Sequence, residues 1–357
     1  MTQELPAKLQ IVCWGITQKC NLSCPHCDRG LGDRNGSYDL STEECFRVID
    51  GILEVGKPAI VLTGGEPLLR DDIFKVASYA TDRGLRVVLS TTGPLITPEV
   101  AAKIKDANIL RVGVSLDFPI ADLHDRFRGK SGTFNRTLSG IKVAQQAGLK
   151  VEVYSVIAKF TTPYLKDLLN LIIELGVVTW NPVMFVPTGR GKTMKHAQLS
   201  PEEYEQTLNW LYEKENELRD RILFGGDSIP QRNRIVRQRG TEQRIKSFSK
   251  LHLRGCKAGI NGCDILYRGK VVACSMLDIE AGDLRKESFA QIWYNSPLFR
   301  KLRDLSNIKG KCGVCEYQTV CGGCRARTYG ATGDYFDTDP WCTYQPVATV
   351  PDTSTCL

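Results

Sequence analysis

The stretch Cys20-Asn-Leu-Ser-Cys24-Pro-His-Cys27 decides how the rest of the chain is read. An apolar run at 11–17 stands just before it and reads as a first strand. Three thiols within eight residues, carried on a loop, can wrap an iron–sulfur cubane and present three sulfurs to it. The fourth iron is then left without a protein ligand. The competing reading is a three-thiolate zinc site, because thiolates suit zinc as well as iron–sulfur clusters.

Working outward, further strand-like runs stand at 59–63, 85–91, 109–116, 149–157 and 177–186, with helix-like stretches between them. Ser41-Thr-Glu-Glu44 reads as a capping box that opens a helix to about Val55, with Gly56 as its stop. Helical periodicity returns at 98–107, 134–147 and 163–175, the last two followed by Gly148 and Gly176. Six strand–helix units imply an α/β fold with a parallel sheet and helices outside. Six rather than eight predicts a partial (β/α)6 TIM-like barrel, open on one side. A longer helix is expected from Pro201 to about Arg221, and the polar stretch 225–255 reads as an irregular linker or substrate-facing segment. From Cys256 the composition shifts to Cys, Gly and short turns, with one helix-like stretch at 288–305; such a region needs clusters to hold it together. The expected division is a barrel over 1–222, a linker over 223–255, a cluster-binding domain over 256–345 and a flexible tail over 346–357.

Composition narrows the function. Of 357 residues 42% are hydrophobic and 24% charged, and no run of about 18 apolar residues predicts a membrane span. Met1-Thr-Gln-Glu-Leu-Pro6 lacks the basic and apolar segments of a secretory signal, so the protein is expected in the cytoplasm. Fourteen cysteines in a reducing compartment argue for metal rather than disulfides, and four histidines leave little material for a histidine-built site. The formal charge of +7 falls to about +2 once eleven thiolates and three cubane cores are counted, so it calls for no nucleic-acid partner.

A second group of cysteines comprises Cys256, Cys263, Cys274 (in Gly269-x4-Cys274), Cys312, Cys315, Cys321, Cys324 and Cys342. Zinc modules separate their CxxC pairs by about a dozen residues or more, whereas five separate Cys315 from Cys321. Eight thiolates suit two four-cysteine clusters. Cys13 and Cys45 read as core thiols and Cys356 as a mobile one. In Thr63-Gly64-Gly65-Glu66-Pro67, at the end of the second strand, glycines let the backbone approach a ligand, and Glu66 or backbone oxygens can accept from an ammonium group.

These motifs together resemble the radical S-adenosylmethionine (SAM) enzymes. The C-x3-C-x2-C spacing is similar to their cluster loop, and Gly64-Gly65-Glu66-Pro67 to the motif that binds the SAM amine. The resemblance implies that the iron left open by Cys20, Cys24 and Cys27 chelates SAM, that Ser115 contacts its ribose and that Arg128 serves its carboxylate. The later cysteines resemble the SPASM extension, which carries two auxiliary [4Fe–4S] clusters and brings the expected total to three. Its interleaved ligation assigns Cys256, Cys263, Cys274 and Cys324 to the first and Cys312, Cys315, Cys321 and Cys342 to the second. One departure is the two-residue spacer Gly322-Gly323, where such domains often have three. The implied chemistry is reductive cleavage of SAM to a 5′-deoxyadenosyl radical that takes hydrogen from a substrate, with an electron from an external donor such as flavodoxin or ferredoxin. Auxiliary clusters could accept an electron, donate one or anchor the substrate.

Within this family Leu62-Thr-Gly-Gly-Glu-Pro-Leu-Leu-Arg70, His124-Asp-Arg-Phe-Arg-Gly129, Cys321-Gly-Gly-Cys-Arg-Ala-Arg327 and Gly333-Asp-Tyr335 are similar to the haem-biosynthesis branch, whose members remove or decarboxylate propionates of iron tetrapyrroles. Arg126, Arg128, Arg325 and Arg327 could pair with propionates; the plainer reading has them capping loops or pairing with acids. A small-molecule substrate, tetrapyrrole or sugar-like, is expected ahead of a peptide. The alternatives are oxidation or epimerisation of a sugar or aminocyclitol, and radical maturation of a peptide. Ser275 stands where sulfatase-maturing relatives carry an Asp base, and Phe118 and Thr92 depart from a usual Gly and Asn. A non-catalytic electron carrier or zinc adaptor is the reading of a different class, and a carrier needs no Gly64-Gly65 loop. No proton donor or radical relay is named by the sequence; Tyr329 and Tyr335 are candidates by residue type only.

Overall fold

The computed structural model describes residues 8–29, 35–225, 229–251 and 254–347, and its strands begin and end close to the apolar runs. β1 (Ile11–Thr17), β2 (Ala59–Gly64), β3 (Arg86–Thr91), β4 (Arg111–Ser115), β5 (Val151–Ile157) and β6 (Thr179–Met184) pair in that order, all parallel. A two-residue β7 (Leu223–Phe224) extends the sheet beyond β6. On the other side of β1 the C-terminal region adds β8 (Gly262–Ile265) in parallel, then β9 (Lys270–Val272) and β10 (Glu280–Asp283) antiparallel. The result is one ten-stranded sheet in the order β10-β9-β8-β1-β2-β3-β4-β5-β6-β7, which does not close. The open (β/α)6 barrel is therefore present.

Alternate strand residues, among them Val12, Trp14, Ile60, Leu62, Val87 and Leu89, are at most 1% exposed and share one core with the helices. Those helices are α1 (Thr42–Val55), α2 (Ile73–Asp82), α3 (Pro98–Asp106), α4 (Ala121–Arg128), α5 (Thr133–Gln146), α6 (Leu165–Glu174) and α7 (Pro201–Leu218). The capping box of α1 forms as read: Ser41 Oγ accepts from Glu44 N at 3.2 Å and Glu44 accepts from Ser41 N at 2.7 Å. Such a cap contributes about 1 kcal/mol, and burial of Val48, Ile49 and Ile52 adds about 1.5–3 kcal/mol each.

Two expectations are corrected. The stretch 225–255 is not irregular: it carries α8 (Gln231–Arg239) and α9 (Glu242–Leu251). Its polar residues misled because they are paired rather than solvated. Arg232 (4% exposed) meets Glu215 of α7 at 2.8 Å, and Arg234 (3% exposed) meets Glu205 at 2.5 Å. The single helix expected over 288–305 is two, α10 (Phe289–Asn295) and α11 (Pro297–Arg303), because Pro297 cannot continue a helix and Ser296 leaves the helical region. Short helices α12 (Gly310–Gly313) and α13 (Arg325–Thr332) complete the C-terminal region. The N-terminal hexapeptide, Cys356 and most of the expected tail lie outside the described residues.

Candidate active site

The loop after β1 is fixed from three directions by backbone contacts. From β2, Gly65 N donates to Thr17 O at 2.8 Å and Glu66 N to Lys19 O at 2.7 Å. A Cβ on Gly64 (φ +136°) would lie 2.3 Å from Thr17 O, and one on Gly65 would lie 2.2 Å from Lys19 O. From the end of α4, Arg128 O accepts from Ser23 N at 3.3 Å and faces Cys24 Sγ at 3.6 Å. From the segment after β6, Arg190 N donates to Cys27 O at 2.9 Å. The glycines read as leaving room for a ligand first of all leave room for the cysteine loop.

Cys20, Cys24 and Cys27 open together into a cavity of about 260 Å³ at the C-terminal ends of the strands, with Gly64, Gly65, Ser115 and Arg128 on its walls. Burial pushes the Cys20 and Cys27 thiols up, so a bound metal is needed to take them as thiolates. Glu66 is fully buried behind the wall. Its carboxylate accepts from Thr91 Oγ1 at 2.8 Å, Thr92 Oγ1 at 2.6 Å, Thr92 N at 2.8 Å and Leu68 N at 3.1 Å. That leaves backbone oxygens of the loop, rather than the Glu66 side chain, to meet an ammonium group. Thr92, read as a departure, supplies two of these bonds.

Arg128 is held by Asp117, with Nη2 to Oδ2 at 2.5 Å and Nε to Oδ2 at 2.7 Å. Burial is the largest influence on Asp117 and opposes its charge, but the Arg128 guanidinium, His26, His124 and the Val156 N–H together outweigh it and keep the carboxyl below its ordinary range. His26 lines the same cavity and stacks on Phe127 at 3.8 Å between centroids. Burial, reinforced by Arg128, pulls its imidazole down to about 3, so it is neutral. Phe118 packs in an aromatic cluster with Phe127, Phe160 and Tyr164 and is absent from the cavity wall.

In the C-terminal region Cys312, Cys315, Cys321 and Cys342 line one small cavity beside Arg234 and Lys311. Backbone N–H groups already point at two of these sulfurs: Gly323 N to Cys321 Sγ at 3.4 Å and Asp339 N to Cys312 Sγ at 3.4 Å. The Gly322-Gly323 spacer is left-handed at both residues (φ +71° and +62°), and a Cβ on Gly322 would lie 2.2 Å from the Arg254 guanidinium. Cys256, Cys274 and Cys324 lie within electrostatic reach of one another. Cys263 does not join them; it sits on β8 in the apolar core, 3% exposed. Among the described residues no three His, Cys, Asp or Glu side chains are gathered as for a single metal ion. The donor set, thiols on fixed loops around cavities, fits iron–sulfur clusters in character.

A second cavity of about 850 Å³ shares Gln18, Asp28, Arg29, Gly64, Gly65 and Met276 with the first. Arg29 stands on the shared wall with its Nη1 buried and unpartnered, 3.8 Å from Asp28 through Nε. Lys192, Lys195, Tyr267 and Tyr329 line the rest, and Ser275 Oγ donates to Asp28 at 2.8 Å. Arg29, Lys192 and Lys195 were missed by sequence reasoning; the position of Arg29 two residues after Cys27 was the available signal. Of the arginines singled out, Arg325 donates to the carbonyls of Tyr335 and Asp337, each at 2.9 Å, and Arg327 meets Asp339 at 2.6 Å. Arg126 is exposed and donates to Asp122 O. These three take the plainer structural part, and Tyr335 lines neither cavity.

Comparison with known proteins agrees with this layout. The model of the radical SAM superfamily matches residues 14–175, and that of an iron–sulfur cluster-binding domain (SPASM) matches 256–325. The chain is 41% identical over 342 residues to an AdoMet-dependent heme synthase of Methanosarcina barkeri, covering 94% of this chain and 97% of the relative. It is 38% identical over 342 residues to the enzyme of that name from Oleidesulfovibrio alaskensis, covering 94% and 88%. Among solved structures, Streptococcus suis SuiB bound to S-adenosylmethionine superposes with a TM-score of 0.75 at 15% identity, covering 95% of this chain and 78% of that one, which is a likeness of fold.

Proposed function

The chain belongs to the radical SAM superfamily, in the SPASM-bearing branch that serves haem biosynthesis, and from that premise we propose that it converts propionate side chains of an iron-coproporphyrin to vinyl groups. When bound, the first cluster supplies the electron that cleaves SAM to methionine and a 5′-deoxyadenosyl radical. In this reading Cys20, Cys24 and Cys27 hold that cluster and Ser115, Arg128 and backbone oxygens at Gly64-Gly65 orient SAM in the first cavity. The tetrapyrrole lies in the second cavity, its carboxylates toward Arg29, Lys192 and Lys195.

The observation that carries the reading is the shared wall. Arg29 lies on both cavities and brings an unpartnered guanidinium N–H to the junction where a propionate would meet the SAM site. Holding substrate and radical source in adjoining, walled spaces excludes water and supplies orientation. Removal of one hydrogen atom from the carbon β to the carboxylate, loss of carbon dioxide and departure of one electron leave the vinyl group. An auxiliary cluster, held by cysteines of the C-terminal region, would be able to accept that electron, and an external donor such as flavodoxin or ferredoxin would supply the reducing electron for SAM. Among the described residues no helix is long and apolar enough to cross a membrane.

The test is anaerobic incubation of the reconstituted protein with SAM, reductant and iron-coproporphyrin III, followed by mass spectrometry. Carboxyl loss from the porphyrin coupled to 5′-deoxyadenosine is expected. Deoxyadenosine with unchanged porphyrin, all clusters being intact, overturns the substrate assignment.

A further inference from the structure

We infer that Arg254 and Arg325 are built-in counter-charges for the auxiliary clusters. Their buried guanidiniums raise the potential of the cluster of Cys312, Cys315, Cys321 and Cys342, so that it takes up the electron left by the substrate. The inference rests on the reading above that this region carries auxiliary clusters, and it chooses one of the roles that the sequence left open for them.

The argument begins with the spacer Gly322-Gly323, which the sequence marked as short. It joins Cys321, on the wall of the small C-terminal cavity, to Cys324, which lies within electrostatic reach of Cys256 and Cys274. Each glycine has a guanidinium where a side chain would begin. A Cβ on Gly322 would lie 2.2 Å from Arg254 Nη2, and one on Gly323 would lie 2.4 Å from Arg325 Nη2. Two cations therefore press on the tetrapeptide that links a ligand of one cluster to a ligand of the other.

Neither cation is neutralised by an acid. Arg254 is 5% exposed and Arg325 3%. Arg254 Nη1 donates to Gln318 O at 2.9 Å and Thr319 O at 2.6 Å, and its Nε has no acceptor. Beyond the two carbonyls that Arg325 Nη1 caps, its Nε and Nη2 have no acceptor either. Among the described residues neither arginine forms an ion pair, whereas Arg232, Arg234 and Arg327, similarly buried, meet Glu215, Glu205 and Asp339. Burial pulls Arg254 below its ordinary value, with the Cys256 and Cys321 thiols opposing the shift and Arg325 reinforcing it. Burial of an unpaired cation is costly, and the anion that suits this place is a cluster.

A [4Fe–4S] core of about +2 on four thiolates carries about −2, and about −3 once reduced. A fixed cation beside it stabilises the reduced form more than the oxidised one, and burial limits screening by salt. The hydrogen bond from Gly323 N to Cys321 Sγ at 3.4 Å acts in the same direction. The other cations at this cavity are otherwise engaged: Arg234 by Glu205, and the half-buried Lys311 by Cys342 O.

The test reads potentials. The full-length protein with Cys20, Cys24 and Cys27 replaced by Ala keeps only the auxiliary clusters, and an EPR-monitored reductive titration gives their midpoints. Arg254→Gln removes the charge but can still donate to a carbonyl. It is expected to retain about eight irons per chain. Its higher midpoint should fall by about a tenfold change in the reduction equilibrium, about 59 mV for a one-electron couple. Arg325→Gln should shift the midpoint in the same direction, and Arg254→Lys should stay near the parent. An iron-replete Gln variant at the parent's potential would overturn the inference, as would an equal fall in Arg254→Lys. Loss of about four irons from both Gln variants would also overturn it, giving the arginines a part in holding the clusters instead. Fewer than about eight irons in the parent would remove the reading of two auxiliary clusters, a separate failure.

Discussion

The Arg128 guanidinium and the Asp117 carboxylate meet at 2.5 Å, with Asp117 fully shut off from solvent. The carboxylate also accepts from Val156 N at 2.9 Å, and Arg128 O meets the loop of Cys24, so one ion pair ties β4, β5 and the cluster loop together. Arg128→Ala strands a buried charge and is expected to destabilise the fold by about 3–5 kcal/mol. Thermal unfolding and SAM binding by calorimetry check this, and Arg128→Lys, with one fork arm lost, should fall between the two.

Gly65→Ala is expected to expel the cluster loop, because its Cβ would meet Lys19 O at 2.2 Å, a backbone atom that cannot step aside alone. The reconstituted variant should lose about four irons per chain while keeping its far-UV spectrum. Retention of all irons would show that the loop is less tightly clamped than its contacts imply.

His124 gives a pH dependence. It is fully buried, accepts from Asp117 N at 3.3 Å through Nδ1, and is pulled by burial to about 4 although Asp117 opposes the shift. An unfolded histidine titrates near 6.5. Between these values the unfolded chain binds a proton that the folded chain refuses, so stability falls as pH drops through that window, by up to about 1.4 kcal/mol per pH unit. His124→Gln should flatten the slope of unfolding free energy against pH by about one proton. An unchanged slope would place the titrating group elsewhere.

Much of this architecture is legible in the residues. The capping box of Ser41 and Glu44 and the strand after which Cys20 comes stand where local pattern puts them, while Cys312, Cys315, Cys321 and Cys342, which line one cavity, were grouped only by the family resemblance. What stayed hidden depends on partners distant in sequence. Arg232 and Arg234 look solvated until Glu215 and Glu205 are placed beside them. Glu66 looks like a ligand until Thr91 and Thr92 take up its oxygens. The orientation of Cys263 is set by β1, some 250 residues earlier, and no spacing rule carries that register.

Arg29→Gln removes a half-buried cation that, among the described residues, is the one common to both cavities. Loss of a charge-assisted contact to a propionate corresponds to about 1.5–3 kcal/mol, so KM for the porphyrin should rise about tenfold to a hundredfold with a smaller change in kcat. Steady-state kinetics separate the two; a fall in kcat at constant KM would give Arg29 a different part.

The most direct test uses iron-coproporphyrin III deuterated on the propionate carbon next to the ring, with SAM and reductant under anaerobic conditions. The account predicts that deuterium appears in 5′-deoxyadenosine as the porphyrin loses carbon dioxide. Unlabelled deoxyadenosine and an intact porphyrin would contradict it.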